Sequence, residues 1–256
     1  MWILTLCIVN IILFLFVVFF LTEYKKIPLK LEFFINRFYD NWQYLAIIFI
    51  VVAFHLIEVK FIDPAVTNWV GFDYANTIQS FEDGVVHWFS QNWTPVLLYF
   101  FVIMYIVVYP FTLWLSPLYF VVGNKKNSLK SLAYGLLLLY IIALPFYLFL
   151  PITNVYTFYG SSSALEQVIP SIESFFYSTT TTNNCLPSLH TAMTILIAYC
   201  LSLTGNKKLK IFGYFVMISV IISVIYLSIH WLTDVLAGAI LSVGAIFILQ
   251  RYIKDK

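Results

Sequence analysis

The sequence IFGYFVMISVIISVIYLSIHWLTDVLAGAILSVGAIFILQ, residues 211–250, consists of two apolar runs joined at a short polar turn. Each run approaches the roughly 20 residues that a helix needs to cross a bilayer. The turn holds His230 and, four residues later, Asp234. Ionisable groups are costly in a membrane and are functional candidates wherever they occur there. The stretch therefore predicts two membrane-spanning helices with a polar site at one end.

The rest of the chain has the same character. Hydrophobic residues make up 62% of the 256 residues and charged residues 10%, which is far from the composition of a soluble domain. We therefore expect an all-α, polytopic membrane helix bundle. The predicted spans are residues 2–22, 43–57, 97–121, 131–150, 189–204, 211–229 and 231–250. The second of these is short, so we expect seven transmembrane helices, with six as the alternative.

The basic residues indicate how the bundle is oriented. Seven alternating helices place Lys60 alone on one side and the other 13 of the 14 Lys and Arg residues on the opposite side. Cytoplasmic loops are enriched in Lys and Arg, so the pattern predicts a protein of the cell membrane with its N-terminus outside. A net charge of +2 confined to loops gives no indication of nucleic-acid binding.

Two long segments then lie on the outer side. Residues 58–93 carry acidic and aromatic side chains and predict interfacial helices. Apolar residues at helical spacing over 164–177 predict another helix, lying along the membrane surface. The sequence does not indicate an oligomeric state.

A second motif, Pro187-Ser188-Leu189-His190, begins the fifth predicted span on the same outer side as His230. Pro and Ser favour helix N-termini, where free N–H groups bind anions. Taken alone, these residues could simply start a helix. His190, however, lies at the wrong end of the helix dipole for a structural cation.

His230 and Asp234 share one helix face if the turn is helical. A carboxylate bonded to one imidazole nitrogen fixes the tautomer and leaves the other nitrogen as nucleophile or base. The alternative is that Thr233 or Asp234 only caps the last helix. We take His190, His230 and Asp234 as candidate catalytic residues, and the spacing of His, Cys, Asp and Glu shows no metal signature.

Together, Pro187-Ser188-x-His190 and Ser223-x-x-Tyr226-Leu227-x-x-His230-x-x-x-Asp234 resemble the motifs of the type-2 phosphatidic acid phosphatase superfamily. With Leu189 in place of the usual glycine, the chain resembles the branch that contains inositol phosphorylceramide synthases. The resemblance covers about residues 95–250. It implies a phosphatase-like transmembrane core over 95–256, preceded by N-terminal helices and an outer interfacial segment over 1–94.

The resemblance also implies the chemistry. His230 would attack phosphorus to form a phosphohistidine, Asp234 would orient and stabilise it, and His190 would protonate the leaving oxygen, without metal or another cofactor. The family's basic phosphate-binding residues are missing. In the third motif, for example, family members have an arginine directly after the serine, and Val224 stands at that position after Ser223. The expected substrate-binding residues are instead Ser188, Leu189, Asn183, Asn184, Asn154 and Tyr147.

The leading functional hypothesis is a membrane lipid phosphatase that hydrolyses a lipid phosphate or isoprenoid diphosphate at the extracytoplasmic face. A first alternative is a lipid phosphotransferase of the inositol phosphorylceramide or sphingomyelin synthase type, which moves a phospho-headgroup to a lipid hydroxyl. A transporter or a catalytically silent membrane scaffold is the alternative of another class. In each case the partner is the lipid bilayer.

Overall fold

A computed structural model describes residues 2–22, 27–28 and 30–254 of the chain. It confirms the predicted all-α membrane bundle. The helices are α1 Trp2–Phe16, α2 Leu31–Asp40, α3 Trp42–Ile57, α4 Asp63–Val70, α5 Ala75–Glu82, α6 Val85–Gln91, α7 Pro95–Ile103, α8 Tyr109–Val122, α9 Lys126–Phe149, α10 Val155–Phe158, α11 Ala164–Val168, α12 Ile172–Phe176, α13 Leu189–Ser202, α14 Lys207–Tyr226 and α15 Leu232–Lys254. Short π-helical segments continue three of them, at Val17–Leu21, Glu58–Ile62 and Met104–Val108.

Six helical stretches of the described residues are long and apolar enough to cross a membrane, as expected of an integral membrane protein. They are Leu4–Leu21, Trp42–Val70, Pro95–Val122, Lys126–Phe149, Lys207–Tyr226 and Leu232–Ile253. The remaining predicted span, residues 189–204, is the 14-residue helix α13. Such a helix is about 21 Å long, shorter than the roughly 30 Å hydrocarbon core. The number of long helices thus equals our alternative count of six.

The short helix α13 is the centre of the bundle. It packs against α9, α14 and α15, and Leu196, Ala192 and Cys200 on it are fully buried. Gly135 of α9 faces Leu196 so closely that a methyl group there would overlap the leucine side chain. Longer neighbours therefore surround α13, and its first turn is held inside the bundle.

The second span is longer than the predicted 43–57, since it continues through the π-helical segment as far as Val70. The acidic residues Glu58 and Asp63 of this continuation are buried and have partners. Tyr140 donates to the Glu58 carboxylate at 3.2 Å, and Thr67 donates to Asp63 at 3.2 Å. Because buried carboxylates are tolerated when they accept hydrogen bonds, the helix does not break at these positions.

The expectation of one helix over 164–177 is wrong, because α11 and α12 are separate five-residue helices. Proline disfavours the helical conformation in the residue before it. Accordingly Ile169, which precedes Pro170, is extended, with φ −129° and ψ 92°. Ser171 has a φ of 66°, in the left-handed region. The predicted outer segment 58–93 does contain short helices, namely α4, α5 and α6.

The bundle has two distinct ends. At one end the loops after α8 and α13 meet the end of the first helix. Lys125 donates to the carbonyl of Thr204 at 2.9 Å, and Lys208 donates to that of Phe20 at 3.0 Å. We call this the lysine-rich end. The opposite end of α13 carries His190, and we call it the histidine end.

Candidate active site

The first turn of α13 is fixed by hydrogen bonds from three directions. The Ser188 hydroxyl caps the helix by accepting the N–H of Thr191 at 3.3 Å. The N–H of Ser188 donates to the backbone carbonyl of Asp234 at 2.9 Å, and Tyr147 donates to the carbonyl of Pro187 at 2.7 Å. Ser188 is fully buried. These bonds join the two sequence motifs directly.

The turn between α14 and α15 places His230. Ser228 has a φ of 57°, which reverses the chain after α14, and the N–H of His230 donates to the carbonyl of Val224 at 3.0 Å. The motif residue Tyr226 holds the turn between α6 and α7, because its hydroxyl accepts the N–H of Thr94 and its carbonyl accepts the Trp93 indole N–H. Tyr226 is thus a structural member of the motif.

The N-terminus of α15 is capped by Glu82, the last residue of α5. Its buried carboxylate accepts the N–H groups of Leu232 at 2.9 Å and Thr233 at 2.7 Å, and the Thr233 hydroxyl at 2.7 Å. A negative charge there is stabilised by the helix dipole and satisfies N–H groups that have no partner within the helix. Glu82 therefore fixes the start of the helix that carries Asp234.

A continuous hydrogen-bonded chain links four side chains. Nδ1 of His230 lies 3.3 Å from Oδ2 of Asp234, and Nε2 of His230 lies 3.3 Å from Nδ1 of His190. Nε2 of His190 lies 3.0 Å from the hydroxyl of Tyr105. An ionised Asp234 only accepts hydrogen bonds. The assignment that satisfies every ring nitrogen is a donating Nδ1–H on both histidines, with Tyr105 donating to His190.

This assignment leaves the Nε2 lone pair of His230 directed at the Nδ1–H of His190. His230 is 4% exposed and Asp234 is fully buried. Oδ2 of Asp234 also accepts the N–H of Trp231 at 2.9 Å, while Oδ1 has no hydrogen-bond partner among the described residues. Burial lowers the pKa of His230 below its usual value. The imidazole is therefore neutral near pH 7, the form that a nucleophile requires.

Gly238, one turn after Asp234, allows α15 to approach α13. A methyl group at this position would overlap the carbonyl oxygen of Ser188 and contact Thr191. The bond between the Ser188 N–H and the Asp234 carbonyl depends on the same close approach.

The structure brings together the three predicted catalytic residues, but the side chains predicted to bind substrate make bonds elsewhere. Asn154 caps α10 and donates to Tyr177. Asn183 donates to Thr67, and Asn184 donates to Glu58 at 3.5 Å. With Ser188 and Tyr147 used as described above, and Leu189 packed against the core, the substrate-binding roles of these six residues stay predictions.

Two contributors were missed by the sequence reasoning. Tyr105, in the π-helical segment Met104–Val108, bonds to His190, and π-helical turns are frequent at functional sites. Tyr109, one turn later, places its ring against that of His190, with the ring centroids 5.2 Å apart and the ring planes tilted by 50°. The one available signal was a pair of hydroxyls four residues apart in an apolar run. The role of Glu82 had no sequence signal, because its partners lie about 150 residues away in the chain.

The electrostatics of the site come from histidines and carboxylates. Among the described residues, no Lys or Arg forms a hydrogen bond or ion pair with His190, His230 or Asp234. Lys60, alone on this side in the predicted topology, is exposed and lies over the Phe61 ring.

Donor atoms of Cys185, His230 and Asp234 lie within 4.8 Å of one another, a spacing that could hold a metal ion. Burial raises the pKa of the Cys185 thiol, which keeps it protonated. The thiolate is the form that binds metals, and Nδ1 of His230 already bonds to Asp234. The donor set therefore suits a metal less well than it suits proton transfer.

Comparison with known proteins agrees with this geometry. The family model of the PAP2 superfamily matches residues 75–248, more than half of the chain, and the match includes His190, His230 and Asp234. The match begins at the start of α5, the helix that contains Glu82. No curated protein and no solved structure matches the chain significantly. The coverage by the family model is sufficient to conclude that this chain belongs to the PAP2 superfamily, whose members are phosphatases and phosphotransferases.

Proposed function

We propose that this protein is an integral membrane lipid phosphatase that hydrolyses a lipid phosphate or diphosphate through a phosphohistidine on His230. The observation that carries the proposal is the hydrogen-bonded chain from Tyr105 through His190 and His230 to Asp234. It supplies a neutral nucleophile, an anion that orients it and a second imidazole for proton transfer, within the membrane environment of a lipid substrate.

In the first step, Nε2 of His230 attacks phosphorus and the bond from phosphorus to the leaving oxygen breaks. His190, protonated as the substrate binds, gives its proton to that oxygen. Asp234 stabilises the Nδ1–H of the phosphorylated ring. In the second step, water attacks phosphorus, His190 accepts the proton of that water, and the bond from Nε2 to phosphorus breaks to regenerate His230.

The substrate has to separate the two histidines. A spacing of 3.3 Å between Nδ1 of His190 and Nε2 of His230 is a hydrogen-bond distance and leaves no room for a phosphoryl group. In the bound state the phosphoryl group takes the place of this bond and accepts the His190 proton. Tyr105 holds the second nitrogen of His190 and limits how far the ring moves.

Charge considerations narrow the substrate class. The phosphoryl oxygens would meet the first N–H groups of α13 and the His190 ring, and phosphoryl transfer depends on stabilising charge on these oxygens. The family's basic phosphate-binding residues are missing from this chain. A phosphodiester or diphosphate carries less charge at the reacting phosphorus than a dianionic monoester and therefore suits the site better. The distribution of Lys and Arg supports an extracytoplasmic histidine end.

Transfer to a lipid hydroxyl is the second candidate, and it is favoured by the seclusion of the nucleophile. His230 is nearly inaccessible, and Phe176 of α12 packs on Tyr105 with ring centroids 5.6 Å apart. An aromatic cover of this kind restricts water and accommodates an apolar acceptor. The same residues would serve, with the acceptor hydroxyl in place of water.

The test is phosphate release by purified protein in detergent, from a panel of lipid phosphates and isoprenoid diphosphates, with and without an added diacylglycerol acceptor. His230→Ala should reduce the rate by roughly 10⁴-fold or more, because the nucleophile is lost. His87→Ala is the matched control, since His87 stacks on Tyr159 at the same end of the bundle. Labelled substrate should leave an acid-labile, base-stable phosphoryl group on the wild type and on His87→Ala, but not on His230→Ala.

If wild type and His230→Ala are equally inactive toward the whole panel, the phosphatase function is excluded and the catalytically silent scaffold remains. Product in the form of phosphorylated acceptor, without free phosphate, would assign the transferase. Ion or lipid flux in proteoliposomes that survives His230→Ala would instead favour transport.

A further inference from the structure

A four-residue sequence occurs twice at the lysine-rich end and has no part in the proposed reaction. Gly123-Asn124-Lys125-Lys126 leads into α9, and Gly205-Asn206-Lys207-Lys208 leads into α14. Asn124 and Gly205 both have positive φ, at 52° and 78°. The two turns therefore have the same composition and each leads into a helix, which begins at the fourth residue of the first turn and at the third residue of the second.

Both turns line one cavity. It has a volume of about 470 Å³ and is bordered by Gly123, Asn124 and Lys125 of the first turn and by Gly205 and Asn206 of the second. Arg37 of α2 closes a third side. Polar and apolar surfaces contribute to its lining in similar measure, in contrast with the apolar cavity beside Thr233 at the histidine end.

The charge of this cavity is positive. Two of its lining residues are Arg37 and Lys125, and none of the described residues that line it is Asp or Glu. The Arg37 guanidinium lies 5.1 Å from the centre of the Phe33 ring and makes no ion pair within the described part of the chain. Among the described residues, the Lys125 ammonium donates to Thr204 alone, which leaves two N–H groups for a ligand.

The start of α9 adds to this positive field. Lys125 is its N-cap residue and offers no side-chain acceptor, and the first turn has no acidic residue. A cation beside the positive end of a helix dipole is unfavourable by itself. An anion between the helix and the two basic side chains would remove this repulsion.

The helix α2 indicates where the cavity lies relative to the membrane. Leu31, Ile35 and Tyr39 expose 76%, 57% and 76% of their surface along one face of this helix, and none of its residues is buried. An amphipathic helix of this kind lies in the membrane interface with its apolar face toward the acyl chains. Arg37 on the same helix then lies at the level of the lipid headgroups.

We infer that this cavity binds the phosphate-bearing headgroup of an anionic phospholipid, held by Arg37 and Lys125. The site is separate from the catalytic one, since the two lie at opposite ends of α13, about 21 Å apart along its axis. It goes beyond the proposed function and does not depend on it. A bound headgroup joins α2 to the turns before α9 and α14 and stabilises the bundle.

The experiment measures the melting temperature of the full chain in dodecyl maltoside, titrated with dioctanoyl phosphatidylglycerol, dioctanoyl phosphatidylcholine or inorganic phosphate. All variants carry His230→Ala, so that turnover at the histidine end does not contribute. Phosphatidylglycerol should raise the melting temperature, and Arg37→Gln should weaken its apparent affinity by about 10-fold or more through loss of a charge-assisted bond. Lys125→Gln should act in the same direction.

Lys126→Gln is the matched control, because Lys126 is the exposed neighbour in the same turn and does not line the cavity. It should respond to phosphatidylglycerol like the parent protein. The inference is overturned if Arg37→Gln and Lys126→Gln respond alike, or if phosphatidylcholine is as effective as phosphatidylglycerol. An equal, Arg37-dependent shift with inorganic phosphate would overturn the lipid assignment in favour of a soluble phosphate ligand. Arg37→Gln leaves the bond from Lys125 to Thr204 intact, so its result does not depend on that bond.

Discussion

The histidine end and the lysine-rich end lie at opposite ends of the same helices, but their charged side chains are placed in opposite ways. At the histidine end, Glu82, Asp234 and His230 are buried and bonded to one another or to backbone N–H groups. At the lysine-rich end, cations such as Arg37 and Lys126 remain partly or fully exposed.

The two ends therefore obtain their specificity differently. Buried groups in a low-dielectric site interact strongly, and leaving one without its partner is costly, so their geometry is critical. Exposed cations are solvated and screened, so each contributes less. Substitutions of similar chemistry should therefore have large effects at the histidine end and small ones at the lysine-rich end.

The largest contrast is expected for Asp234→Asn against Asp40→Asn. An amide at position 234 can keep both bonds through its carbonyl oxygen, but the charge that stabilises the His230 imidazolium and phosphohistidine is lost. We expect a fall in kcat of roughly 10³-fold to 10⁴-fold with the fold retained. Asp40 is exposed at the end of α2, and its amide variant should have wild-type activity. Comparable losses in both variants would remove the contrast between the ends.

Gly238→Ala against Gly244→Ala tests the close approach of α15 to α13. The added methyl group at 238 meets the Ser188 carbonyl, whereas no atom lies within 4 Å of one at 244. Overpacking should cost the first variant about 1–3 kcal/mol, and the displacement of Asp234 should lower activity. The second should gain up to about 1 kcal/mol from helix propensity. Thermal unfolding in detergent measures both changes, and a stable, active Gly238→Ala protein would contradict the packing argument.

Tyr105→Phe against Tyr109→Phe should give the smallest of these effects. Removing the Tyr105 hydroxyl frees Nε2 of His190, so kcat should fall by about 10-fold, the scale of one neutral hydrogen bond. The Tyr109 hydroxyl is buried and has no hydrogen-bond partner among the described residues. Its removal should leave kcat unchanged. The measured quantity is kcat at saturating substrate. Equal losses of kcat in the two variants would show that both rings act only by packing.

Sequence reasoning was most successful for features that repeat or lie close together in the chain. Apolar runs of spanning length predicted the bundle, and the motif spacing selected His190, His230 and Asp234, which the fold places in contact. It failed over 164–177, where the helical spacing was read without allowing for Pro170. It also ended the second span too early at residue 57, because burial of Glu58 depends on Tyr140, far away in the chain.

The sequence by itself determined the membrane class, the family motifs and the separation of histidines from lysines, because hydropathy, motif spacing and charge are local properties of the chain. The tertiary structure alone decided that Tyr105 bonds to His190, that Glu82 caps α15 and that the two Gly-Asn-Lys-Lys turns share one cavity. Each of these joins residues far apart in the chain. Such pairings depend on how whole helices pack, and no local pattern of residues encodes that.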